Sequence, residues 1–236
     1  MTKRSGFALL ATIAILTAAQ KCWSEDKRDD DAWTRHFAVE KQDLASTGRN
    51  SYFSLEPGDQ LTYEGDDERL VITVLPDTKM VDGVETRVIE ERETKAGQLV
   101  EVSRNYFAIS QRTGSVFYFG EEVDIYKNGK VVDHEGDWQS GARGARYGLM
   151  MPAEVLLGAR YYQEIAPRAA LDRAEIVSLS ETVTTPAGEF KNCIKIEETT
   201  PLEPGTKEYK YYARGIGLVQ DGDLKLVKHH KADNAN

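Results

Sequence analysis

The 236-residue sequence has two cysteines, seven prolines and four histidines. Two cysteines cannot staple a miniature scaffold, and no cysteines pair at zinc-site spacing. His134-Glu135-Gly136-Asp137 lacks the second histidine four residues on that a zinc helix needs. Positive charge is also scarce. Thirty basic against 39 acidic side chains give a formal charge of −9, which repels polyanions and excludes nucleic acid as a main partner. There is no serine elbow, no phosphate-cradling glycine loop and no dinucleotide fingerprint, and Gly215-Ile216-Gly217 is a glycine pair between two strands. The familiar enzyme classes lose their support, and no cofactor is implied.

Long apolar runs are missing too. The longest, FALLATIAILTAA at residues 7–19, has about 13 residues where a spanning helix needs about 20. Lys3 and Arg4 precede it, and it ends in the small residues Thr17-Ala18-Ala19, which is the layout of a secretory signal removed near Ala19. The predicted address is periplasmic or extracellular, with no transmembrane span left after removal. Losing Lys3 and Arg4 takes the formal charge from −9 to −11. Residue 22 is a cysteine, but the lysine before it departs from a lipid-attachment signal. Residues 20–50 are polar and read as a linker, with a short helix around 33–44.

From Tyr52 onward Val, Ile, Thr and Tyr dominate. Glycine-bearing turns recur at 83, 97, 114 and 129, then at 188, 205 and 222. Asn128-Gly129 and Asp82-Gly83 favour the positive-φ turns that match the twist of paired strands. The spacing leaves strands of about ten residues, twice the usual length. Eight or nine such strands must curl or leave long edges unpaired. The predicted fold is all-β: one antiparallel meander over 51–230, curled into a barrel, half-barrel or bent sandwich, with residues 231–236 as a disordered tail. Val84 and Val88 against Glu85, Arg87 and Glu91 predict a strand buried on one face. Phe190, Ile194 and Ile196 alternate with Lys191, Lys195 and Glu197, which puts Cys193 outward with the lysines. A bridge from there to Cys22 is one alternative, an unpaired surface thiol the other.

Residues 136–167 break the pattern. They hold five glycines, with only 159–165 strand-like, so they read as a lid, binding loop or plug. A short helix over 167–177 is an even alternative to strand. Candidate ligand contacts are Phe117 and Phe119, on a strand buried on both faces or lining a cavity, with Trp138, Arg143, Arg146, Tyr147, Met150 and Met151 from the irregular segment. Glu121, Asp124 and Asp137 around the Asn128-Gly129 hairpin offer a calcium alternative.

Several stretches act as a set: Tyr118-Phe119-Gly120-Glu121, Asn128-Gly129-Lys130-Val131-Val132, Gly148-Leu149-Met150-Met151-Pro152, Tyr162-Gln163-Glu164, the TPAGEFKNC stretch at 185–193 and the YYARGIGLV stretch at 211–219. Over residues 50–228 the chain resembles a group of secreted bacterial β-rich proteins of unknown function. The resemblance implies an exported β domain and carries over no catalytic residue. The expected role is a binding or envelope-interaction module for an apolar, amphipathic or lipid-like small molecule or an envelope protein. A carboxylate-dependent hydrolase around residues 121–137 and a structural surface protein are the alternatives.

Overall fold

Turn chemistry sets the frame. Asp82-Gly83, Ala96-Gly97 and Asn128-Gly129 each place two successive residues at positive φ, the two-residue turn that folds a twisted strand back on itself. The computed structural model describes residues 32–232, and nearly all of its regular structure is strand. In chain order these are β1 (Leu44–Ala45), β2 (Gln60–Gly65), β3 (Glu68–Val81), β4 (Val84–Lys95), β5 (Gln98–Ser110), β6 (Val116–Lys127), β7 (Lys130–Asp133), β8 (Trp138–Gln139), β9 (Arg146–Met151), β10 (Arg160–Tyr162), β11 (Glu164–Ile165), β12 (Arg173–Thr185), β13 (Gly188–Thr199), β14 (Glu208–Ala213), β15 (Gly217–Asp221) and β16 (Leu224–His230). The strands pair antiparallel in the order β10-β12-β13-β14-β15-β16-β2-β3-β4-β5-β6-β9-β11. The long-stranded, curled all-β fold read from the turn spacing is the fold observed.

The two ends of that order are neighbours in sequence. β10 pairs with β12 and β11 with β9, and only Gln163 separates β10 from β11. One short stretch thus spans the gap between the first and last long strands and nearly closes the sheet into a barrel, removing the exposed edges that long strands would otherwise present. The closure is tight. A Cβ on Gly148 of β9 would lie 2.4 Å from the carbonyl oxygen of Gln163, so only glycine fits there.

The predicted linker ends well before residue 50. Trp33 is buried, stacked beneath the guanidinium of Arg173, and Thr34 pairs with Tyr161. Phe37, Val39 and Leu44 then cover the outer face of β4 to β6, against Val84, Val88, Tyr106, Phe117 and Phe119. The expected helix at 33–44 is a single 3-10 turn at Lys41–Asp43. This cover makes β4 a strand buried on both faces, unlike the one-sided pattern predicted. Arg87, read as outward, is buried and donates to the carbonyls of Ser46 at 2.9 Å and Pro76 at 2.7 Å. The leader-like residues and Cys22 lie outside the described residues.

Other expectations are corrected. Cys193 is fully buried among the inward residues. Asn192 before it has φ +55 and the pairing with β12 shifts register there. This bulge inserts an extra residue and turns two consecutive side chains, Cys193 and Ile194, inward. The alternative helix over 167–177 is not formed, because β12 starts at Arg173 and continues the sheet. The irregular middle holds more strand than predicted, since Arg146–Met151 pairs with β6.

Candidate functional site

The barrel interior is divided along its length. Toward one end it is apolar: Leu55, Val74, Ile109, Val116, Met151 and Val183 belong to one buried cluster. The loop at residues 48–59 closes this end. There Arg49 and Ser54 hold the buried Asp59 at 2.6 Å each, Asn50 donates to the carbonyls of Gly114 and Pro152, and Leu55 is fully buried. Burial alone would raise the Asp59 carboxyl, but its hydrogen bonds to Ser54 and Arg49 outweigh that and lower it.

Toward the other end charged residues join the core residues Tyr63, Leu70 and Leu226 at the inward positions. On β4 the inward alternation runs Ile89, Glu91, Glu93, with Glu91 opposite Ser103 and Glu93 opposite Glu101 on β5. Glu121 of β6 faces Asn105. From the opposite wall come Glu198 of β13, Lys210 of β14 and Asp221 of β15. The Lys210 Nζ lies 2.9 Å from Glu198 and 3.7 Å from Asp221. Gln163, at the closure, donates to Glu198 at 2.9 Å. Glu164 beside it is fully buried and accepts the backbone N–H of Asp172 at 2.5 Å.

So many carboxyls in one enclosure hold one another's protons. Burial pushes Glu91 up to about 7, with Lys210 opposing and Asp221 reinforcing the shift. Burial first, then the hydrogen bond to Glu68, brings Glu93 to about 7. Burial and the charges of Glu91 and Glu101 put Glu121 at about 8. Burial disfavours the Lys210 ammonium, yet the carboxylates of Asp221 and Glu198 more than offset it and raise the group well above its ordinary value. Lys210 is therefore a permanent cation in an acidic chamber.

Between the two halves lies a cavity of ≈ 110 Å³. Its walls include Leu61, Ile72, Val74, Ile89, Phe107 and Leu218, its inner end Glu91, Lys210 and Asp221, and its rim Phe53, Ser54, His229 and His230. No protein-family model and no curated protein matches the chain. Among solved structures it is similar to a candidate lipoprotein from Parabacteroides distasonis ATCC 8503, at 14% identity and a TM-score of 0.40, with 78% of this chain and 100% of that one covered.

The residues singled out from sequence divide between places. Met150 lines the cavity. Met151 is fully buried in the apolar core nearby. Phe117 and Phe119 point to the outer face instead, packed with Tyr147, which stacks on Phe119 at 4.7 Å. Arg146 is exposed and reaches His36. Trp138 and Arg143 border a second, open groove of ≈ 970 Å³, whose lining also takes in Glu121 from the acidic end, with Asp124 and Asp137. The calcium alternative finds no support in that geometry. Asp137 accepts the N–H of Val123 at 2.6 Å as a hairpin cap, and Asp124 pairs with Arg104 and His134. Among the described residues no three His, Cys, Asp or Glu side chains converge as metal ligands.

The interior acids escaped the sequence reading because alternation with valine or isoleucine marks a charged residue as outward. Glu91 alternates correctly, two places from the inward Ile89. Only the outer cover of residues 37–44 shows that the Val84 and Val88 face is not the barrel interior.

Proposed function

We propose that the chain is an exported binding module whose barrel interior takes a small apolar or amphipathic molecule. The cavity of ≈ 110 Å³ carries this reading. Its apolar walls end in ionisable side chains, the arrangement in which hydrophobic contacts supply affinity and a few polar groups set orientation. Its size suits an occupant about as large as benzene, which enters an engineered apolar cavity of roughly 150 Å³ in another protein. The leader-like residues 7–19 and the resemblance to secreted bacterial proteins support export. The loop at residues 48–59 is the gate in this reading, since Phe53 and Ser54 form the rim and the Arg49–Asp59 ion pair fixes the loop.

The test is thermal unfolding of the purified protein with millimolar benzene, beside a variant in which Ile72→Trp fills the cavity. A ligand that binds only the folded state raises the midpoint. The midpoint is expected to rise in the natural chain and stay fixed in the filled variant. Equal behaviour of the two, with both folded, would overturn the reading.

A further inference from the structure

We propose that the occupant of this cavity is a small primary amine bound as its ammonium ion, with its alkyl body against the apolar wall and its charged head on Glu91. The inference rests on the cavity being the binding site and names the chemistry that site selects. Three observations carry it. The cavity wall from Ile72, Ile89, Phe107 and Leu218 is apolar and accepts a hydrocarbon body. Its inner polar end is acidic in sum, with Glu91 and Asp221 facing Lys210, while Asp59, His229, His230 and Lys231 also line the cavity. Those two acids are not equivalent. Lys210 is already engaged by Asp221 and Glu198, whereas Glu91 has no hydrogen bond and no ion-pair partner among the described residues. Ser103, directly across the sheet from Glu91, is engaged by the Asn105 side chain.

A carboxylate enclosed without a partner is costly, and the group that relieves it brings both a positive charge and N–H donors. An ammonium ion meets both needs. An alcohol supplies a donor without the charge. A carboxylate of the same size would be repelled by Glu91 and Asp221, and Lys210 is too fully paired to compensate. Burial lifts the Glu91 carboxyl to about 7, so at neutral pH the empty site is partly protonated, and an incoming ammonium displaces that proton to solvent. The groups facing Glu91 from the packed strands are Tyr63 of β2, Glu101 of β5, Tyr118 and Glu121 of β6, Glu198 of β13, Lys210 of β14 and Asp221 of β15. Apart from Lys210, the ionisable ones are acids, so raising the pH adds negative charge to the chamber and favours the cation further.

Calorimetry of the full mature chain with n-pentylamine, pentan-1-ol and pentanoate separates the possibilities, because the three share one hydrocarbon body. The amine is expected to bind about tenfold or more tightly than the alcohol, the worth of one charge-assisted hydrogen bond, with pentanoate weakest. Glu91→Gln, which keeps the side-chain shape, is expected to bring the amine down to the alcohol's affinity. In the natural chain the amine should tighten between pH 6 and 8, where the alcohol should not change, and this second readout does not depend on the variant folding. Alcohol binding with no preference for the amine, or a preference that Glu91→Gln and pH both leave intact, overturns the amine assignment while leaving the cavity as a binding site. Failure of all three probes overturns both.

Discussion

The two ends of the barrel interior are built from the same strands and obey opposite rules. β3, β4 and β5 each run from one end to the other. Where they pass the loop at residues 48–59 they contribute Val74, Ile89, Phe107 and Ile109, and at the other end β4 and β5 contribute Glu93 and Glu101, directly opposite each other, beside Leu70 of β3. The apolar end gains from excluding water. The acidic end places like charges across one rung, an arrangement that destabilises a sheet, and is held by Lys210 and by protons. Apolar packing continues there through Tyr63, Leu70 and Leu226, on the same rungs as the acids. Local rules broken in one place within an otherwise consistent fold are found at functional or strained sites.

The difference should show first in Phe107→Ala. This ring stacks on Tyr118 at 4.7 Å and packs on Phe53 at 5.1 Å, so its removal is expected to cost about 3–5 kcal/mol in urea unfolding, with little change across pH. At the acidic end Lys210→Met should cost roughly 3 kcal/mol at pH 8, by stranding its carboxylate partners, and less at pH 5, where Asp221, whose carboxyl burial already raises, takes up a proton instead. Equal losses at both pH values would erase the distinction between the ends.

The natural chain should itself respond to pH. Glu91 and Glu93 titrate near 7 in the fold and Glu121 near 8, against an ordinary 4.5. Between those values the folded chain holds more protons than the unfolded one. Their contribution to stability is therefore fully present below about pH 4.5 and is lost as pH rises to 8, at up to about 1.4 kcal/mol per pH unit for each group. Unfolding at pH 5, 6.5 and 8 should show this decline, and Glu121→Gln should flatten it. A chain most stable at pH 8 would contradict the protonated interior. The smallest effect belongs outside: Arg69→Ala, which breaks an exposed pair with Glu64 at 2.5 Å, is expected to change stability by less than about 1 kcal/mol. A larger loss would mean that surface charge matters as much as interior charge.

Much of this fold was legible along the chain because turn chemistry is local. Asn128-Gly129 and Asp82-Gly83 adopt the positive-φ turns that their residue types favour, and each interval from Gly83 to Gly129 holds one long strand, whereas that from Gly205 to Gly222 holds two short ones, β14 and β15. The site was legible only in part. Met150 sits on the cavity, but Phe117 and Phe119 belong to the face covered by residues 37–44. Alternation tells that two faces differ without telling which one is the interior. It also fails where a residue is added, as at Asn192, whose left-handed backbone turned Cys193 from the outside to the core.

By itself the sequence determined an acidic, antiparallel all-β chain of long strands, since composition, hairpin turns and alternation act over a few neighbouring residues. Tertiary structure alone decided that residues 160–165 close the barrel, that the segment from Trp33 covers its outside, and that Glu91, Lys210 and Asp221, spread over 130 positions, meet around one cavity. Those outcomes depend on which strand becomes the neighbour of which, and strand neighbours far apart in sequence are set by closure of the whole sheet.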